Sequence, residues 1–314
     1  MSNSAIPTTT SHPSAAAAPI SHAPRTLWGD AWRRFRRHRL ALLGSFVLSF
    51  LVLTTAVGPF LWTIVPTKID FANAYKGPTL DHPFGVDGSG RDMLARAMHG
   101  GRLSISVGIS AMIIAIGLGT LIGSISGFFG GIIDMLLMRT TDLFLSLPQL
   151  PLLLLLIYLF RDALRRVVGP EVGIFILIIA VIGGLNWMNT ARVVRASFLS
   201  VKQKEFVEAS RCLGASDVRI IITHILPNCI SPIIIAATLS IGAAIILEST
   251  LSFLGLGFPP DFPTWGRMLN DARDYLDLAP HTILFPGFLI FLTVLSVNYM
   301  GDGLRDALDP RRVV

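Results

Sequence analysis

Six runs of mostly apolar residues constrain this chain more than any other feature, because each is long enough, or nearly so, to cross a bilayer as a helix. They extend from about Leu40 to Ile64, Leu103 to Phe129, Leu143 to Phe160, Val172 to Met188, Ile230 to Leu254 and Ile283 to Met300. Only 15% of the 314 residues are charged and the mean hydropathy is +0.63. A soluble domain carries roughly a quarter charged residues. The chain therefore reads as an all-α integral membrane protein with about six transmembrane helices.

The loops orient the spans. Arg33, Arg34, Arg36, Arg37 and Arg39 precede the first run, and Arg192, Arg195, Lys202, Lys204, Arg211 and Arg219 lie between the fourth and fifth. Basic flanks stay cytoplasmic, and an even number of crossings separates the two clusters, so both place the termini inside. The tail with Arg305, Arg311 and Arg312 is then cytoplasmic too. One loop opposes the rule: Arg161, Arg165 and Arg166 fall outside, partly offset by Asp162 and Glu171. The net charge of +6 is distributed as membrane flanks, which argues against a nucleic-acid partner. Cys212 and Cys229 make neither a disulfide framework nor a metal motif. Residues 1–26 are rich in Ala, Ser, Thr and Pro, and most are expected to be disordered. They are not expected to be a cleaved signal, since the apolar run that follows is too long.

Within the runs, several residues stand out. Ala111, Ala115, Gly119, Gly123 and Gly127 put a smooth stripe on the second span, and Ala236, Ser240 and Ala244 a weaker one on the fifth. Such stripes admit close backbone approach, either within the chain or against a second subunit. Pro148 and Pro151 should start or kink the third span. Arg139 with Asp142, and Asp302 with Arg305, have the spacing of helical ion pairs. Glu248 falls inside the fifth run, where an ionisable group is costly and raises a pathway or gating role. The structural alternative is that it snorkels at the outer end or meets an arginine. Asn186 and Asn189 are expected at the inner end of the fourth span, positioned to hydrogen-bond across helices. No phosphate-cradling GxxxxGK[ST] occurs, and His82, His99, His224 and His281 are scattered.

The loop from Leu199 to Pro227 is the most informative. Leu199, Phe206 and Leu213 recur every seven residues, with Val207 and Ser210 near the same side, as on an amphipathic helix. Gly214 suits a helix stop, and Ser216 or Asp217 can cap a second helix that Pro227 would end. Two short helices at the cytoplasmic face suit docking on a soluble partner and equally suit lying on the membrane surface.

Within this loop, Glu208-Ala209-Ser210, Gly214 and Leu226-Pro227 resemble the EAA loop of ABC importer permeases, with Ser210 where a second Ala is usual. Three further stretches resemble peptide-importer permeases. The first is Phe84-Gly85-Val86-Asp87 with Gly90-Arg91-Asp92. The second is Ser252-Phe253-Leu254-Gly255-Leu256-Gly257 with Pro263-Thr264-Trp265-Gly266. The third, Gly301-Asp302-Gly303-Leu304-Arg305-Asp306-Ala307-Leu308-Asp309-Pro310, is similar to the end of the C-type subunit of oligopeptide and dipeptide importers. The likeness spans Leu27 to the C-terminus.

It implies a type I ABC permease bundle in a bacterial or archaeal cytoplasmic (inner) membrane, with both termini cytoplasmic. Residues 27–101 would be the first helix with its basic flank and external loop, and residues 102–314 a five-helix core. It implies that Glu205, Glu208, Ala209, Ser210, Gly214, Leu226 and Pro227 dock on an ATPase, while Gly85, Asp87, Gly90, Arg91 and Asp92 shape the outer entrance. Implied partners are a second, related permease, two ATP-binding subunits that use ATP and Mg, and an extracytoplasmic substrate-binding protein. This chain itself would bind no cofactor or metal and catalyse nothing. Alternatives are a nickel or antimicrobial-peptide cargo, or a membrane anchor for a soluble partner.

Overall fold

The computed structural model describes residues 27–308. The expected disordered tail and the closing Asp309, Pro310, Arg311 and Arg312 lie outside the described residues. Helix α1 (Leu27–Phe35) precedes α2 (Arg39–Leu61), with His38 capping α2 through Nδ1. Helix α3 (Met93–Phe129) is capped by Asp92. Then follow α4 (Gly131–Ser146), α5 (Gln149–Val168), α6 (Pro170–Gly184), α7 (Trp187–Lys202) and the short α8 (Glu205–Cys212). A long helix α9 (Asp217–Phe253), the external α10 (Trp265–Ala272) and α11 (His281–Leu308) complete the fold. Among the described residues there is no strand, only an isolated bridge between Val86 and Asp92.

Five helices, or joined helix pairs, are long and apolar enough to cross a membrane, and the bent pair α4–α5 makes a sixth span if counted as one. The third run kinks where its prolines are expected to start or kink it. It is split by an 88° bend between α4 and α5, because Pro148 and Pro151 remove backbone donors where a straight helix would use them. The fourth run departs from expectation: α6 breaks at Leu185–Asn186, and the span resumes as α7 and extends to Lys202. Leucine-, isoleucine- and valine-rich faces of α5 and α6 meet Trp187, Met188 and Ala191 of α7 in the largest core cluster, around Ile157, Ile174, Ile178 and Ile182.

The small-residue stripe of α3 packs inside the chain. A Cβ added to Gly119 would lie 2.5 Å from Thr190 Cβ, one on Gly123 2.5 Å from the Ala191 carbonyl oxygen, and one on Gly127 2.6 Å from Phe198 Cβ. Glycine at these places lets the α3 and α7 backbones meet, a contact no larger side chain permits. The stripe is therefore spent on α7 and does not face a second subunit. The closing glycines act alike. Gly301 sits against Thr238 of α9, and a Cβ on Gly303 would collide with Ala41 of α2.

Contacts between loops agree with the expected sidedness. The segment before α3 and the first turn of α3 meet the α9–α11 connection, through Tyr75 with Tyr275 and Arg96 with Asp271. At the opposite end Phe35, Ala41 and Ala307 share one cluster.

Candidate functional site: an inner arm and an outer polar lock

The inner arm begins where α7 ends. Lys204 starts α8 without a side-chain cap, and α8 closes on Gly214 with φ +78°. Gly214 N–H donates to the Arg211 carbonyl at 3.0 Å and Ala215 N–H to the Ser210 carbonyl at 3.1 Å. This paired closure requires the left-handed conformation that glycine adopts freely. Val207, 1% exposed, pins the arm to Phe198, Ile220, Ile225 and Cys229. Of the expected apolar side, Val207 anchors the arm while Phe206 and Leu213 do not. The break at Gln203 rotates α8 relative to α7, leaving Phe206 exposed and Leu213 88% exposed. Glu205, Glu208, Ala209 and Arg211 are exposed beside them. Ser210 donates its hydroxyl to the Phe206 carbonyl at 2.7 Å, so a serine fits the helix without an unmet polar group.

The second half of the arm corrects another expectation. Pro227 does not end a helix. The chain passes through a π-helical stretch, Ile220–Ile225, and a 3-10 turn, Leu226–Cys229, and continues as the membrane-crossing part of α9. The Leu226 N–H reaches back to the Ile221 carbonyl, and Pro227 sits in the first turn of the 3-10 segment. Its missing N–H costs little there. Leu226 is half-buried and Pro227 exposed.

Where the arm joins the bundle, α4 and α7 are tied by charge. Arg195 clasps Asp134 with Nε at 2.5 Å and Nη2 at 2.6 Å, and Ser126 also donates to Asp134. Arg192 pairs with Asp142 at 2.5 Å. Asp142 thus serves a different helix from the expected Arg139 pairing. Lys202 donates to the Phe128 carbonyl. In the closing motif, Asp302 and Arg305 are both exposed and form no ion pair with each other; Asp306 instead lies 3.8 Å from His38.

The outer lock gathers residues from distant parts of the sequence. Gly85 and Gly90 have φ +74° and +76°, and a Cβ on Gly85 would lie 2.6 Å from His281 Cδ2. Between them Asp87 accepts the Ser89 and Arg91 N–H groups, each at 2.9 Å, and its other oxygen accepts Arg91 Nε at 2.8 Å. Asp92 caps α3 through Ala95 N–H at 2.6 Å while receiving Trp62 Nε1 and contacting His82 Nδ1. Arg96, 1% exposed, donates to Asp271 at 2.9 Å and lies 3.6 Å from Asp87. Arg91 and Arg267 reach the same Asp271.

Glu248 sits at the outer end of α9 and is 0% exposed. It neither snorkels nor meets an arginine. Ser252 Oγ donates to it at 2.8 Å and Ser104 Oγ at 3.1 Å. Ser104 Oγ in turn accepts the Trp265 N–H at 3.3 Å, and the Trp265 indole donates to the Ala97 carbonyl at 2.9 Å. The carboxyl thus links α3, α9 and α10. Ser104, Trp265, Arg96 and Asp271 in the lock were not singled out from the sequence for these partnerships. The tryptophan's place in a motif and the arginine's place in an apolar helix were the only signals.

Comparison with known proteins fits this geometry. A family model described as "Binding-protein-dependent transport system inner membrane component" matches residues 119–314, and one described as "N-terminal TM domain of oligopeptide transport permease C" matches residues 26–78. The oligopeptide transport system permease protein OppC of Haemophilus influenzae is 39% identical over 289 residues, covering 91% of this chain and 89% of the relative. The dipeptide transport system permease protein DppC of Alkalihalophilus pseudofirmus is 38% identical, covering 90% of each chain. The glutathione transport system permease protein GsiD of Escherichia coli O6:K15:H31 is 40% identical, covering 91% of each. An inward-facing structure of the MetNI methionine ABC transporter shares the fold, with a TM-score of 0.54 at 17% identity over 69% of this chain and 98% of that one. The chain is a multi-pass permease that belongs to the family of inner membrane components of binding-protein-dependent transport systems.

Proposed function

We propose that this permease forms half of the translocation pathway of an ATP-driven peptide importer and that its α8 arm is the element through which ATPase subunits act on it. The observation that carries this is the build of α8. One buried residue, Val207, anchors a short helix whose remaining surface offers exposed Phe206, Leu213, Glu205, Glu208 and Arg211. Large apolar side chains displayed beside charges on a closed, short helix suit burial in a partner's cleft. The names of the three relatives, which specify oligopeptide, dipeptide and glutathione transport, support an amide-linked cargo. Each is named a permease, which favours transport over a passive anchor.

In this reading a second permease completes the pathway, two ATP-binding subunits below it hydrolyse ATP with Mg, and a substrate-binding protein delivers cargo to the outer lock. Glu208, Ala209, Ser210 and Gly214 form the docking helix, with Glu205 at its start. Leu226 and Pro227 form the joint that passes its movement to α9. Gly85, Asp87, Gly90, Arg91 and Asp92 frame the outer entrance, Glu248 holds that entrance to α9, and Gly301, Asp302, Gly303, Arg305 and Asp306 seat the last helix.

The test is peptide-stimulated ATP hydrolysis in proteoliposomes holding the four membrane components and the binding protein. Glu208→Ala and Gly214→Pro are expected to assemble and to lose most of the stimulation. Proline cannot adopt the Gly214 φ or supply its N–H. Wild-type stimulation in both variants would remove the arm from the coupling path.

A further inference from the structure

Two chain breaks meet at one depth. Asn186 stands halfway along the Pro170–Lys202 span, at the interruption between α6 and α7. Gln149 stands halfway along the bent pair, just after the interruption between α4 and α5. The two touch, since Gln149 Nε2 donates to Asn186 Oδ1 at 3.2 Å. Together with Asn189 they line a cavity of about 90 Å³ whose other walls include Leu152, Leu185 and Met188. No charged residue lines it.

The amides are not used up by the fold. Asn186 spends one donor on the Ile182 carbonyl at 2.6 Å. The exposed Asn189 amide and the Gln149 carbonyl oxygen have no hydrogen-bond partner among the described residues. Both breaks lie within two turns of the paired Asp142 and Arg192, so the cavity sits toward the inner half of the bundle, and its unpaired amides are open to a ligand. Interrupted helices within a bundle occur where they line a polar cavity, and transporters place cargo at such breaks. We infer that Gln149, Asn186 and Asn189 form a cargo-binding subsite in the translocation pathway that pairs with the backbone amides of a passing peptide. This deepens the peptide-import reading and rests on it.

The chemistry fits that class of ligand. A carboxamide presents a donor and an acceptor side by side, as a peptide bond does, so two hydrogen bonds form without reading cargo side chains. Neutral amides also hold weakly. A conducting path needs contacts favourable enough to enter and weak enough to leave, whereas a charged lining would trap one end of a zwitterionic peptide.

The experiment measures uptake of radiolabelled tri-alanine by proteoliposomes containing the complete importer and its binding protein. Wild type is compared with Asn189→Ala, Gln149→Ala and Asn189→Gln. Both alanine variants are expected to assemble with the second permease, to keep ATP hydrolysis stimulated by the binding protein, and to lose uptake about five-fold, the size of one hydrogen bond. Asn189→Gln, which keeps the amide, should retain at least half. Full uptake in the alanine variants overturns the subsite and leaves peptide import standing. Loss of the second permease on purification overturns it as well, by making the amides a subunit contact. Failure of wild type to carry tri-alanine, while ATP hydrolysis still responds to the binding protein, removes the peptide reading and the subsite together.

Discussion

The two ends of this permease are built on opposite terms. At the outer end, charged groups are taken out of solvent: Arg96 donates through Nη2 to Asp271 and lies near Asp87, and Glu248 sits within serine hydroxyls. At the inner end the charges of α8 are exposed and a single valine holds the helix. Buried ionic groups fix geometry because any rearrangement must first strand a charge. A helix held by one apolar contact yields at small cost. The outer end therefore resists deformation, and the inner end yields at smaller cost.

Three substitutions sharpen or break this contrast. Removing Arg96 should hurt most, since Arg96→Ala takes away the most buried of the three arginines that reach Asp271 and opens space beside α3. The expected loss is about 3 kcal/mol, seen as a lower unfolding midpoint of the purified complex in detergent. Val207→Ala comes next. Removing two buried methyl groups costs about 2 kcal/mol, and here the effect should be local. Limited trypsin cleavage at Lys202 and Lys204 should quicken roughly 30-fold while the global midpoint moves little. The smallest effect belongs to Leu213→Ser, a change at an 88% exposed side chain. Stability should shift by less than about 0.5 kcal/mol, while binding-protein-stimulated ATP hydrolysis falls. If Arg96→Ala proves as mild as Leu213→Ser, the contrast between the ends is wrong.

The sequence exposed what is decided locally. The apolar runs announced the spans because a bilayer demands about 20 such residues in line. Pro148 announced the bend in α4–α5, and Gly214 the end of α8. What stayed hidden depended on partners far along the chain. Asp142 and Arg139 have helical spacing, yet Asp142 pairs with Arg192, 50 residues away, because the α4–α7 packing brings that arginine closer. Arg96 and Asp271 are 175 residues apart. Pro227 misled for a different reason. A proline usually ends a helix, but a change of helical pitch just before it removed the hydrogen bond it would have broken. Asn186 stands where the apolar run stops, and the helix continues beyond it to Lys202 through the basic stretch of Arg192 and Arg195.

The glycine seam between α3 and α7 has a mechanical consequence. Three successive turns of α3 lie backbone against backbone on α7, so neither helix can slide or roll without collision. The pair is in effect one beam. α3 alone, at about 1.5 Å per residue, is roughly 55 Å long, with Asp92 and Ser104 toward one end and Phe128, gripped by Lys202, at the other. A displacement of α7 therefore carries α3 with it, up to the Asp92 end. The excursion there is set by where along its length the beam pivots.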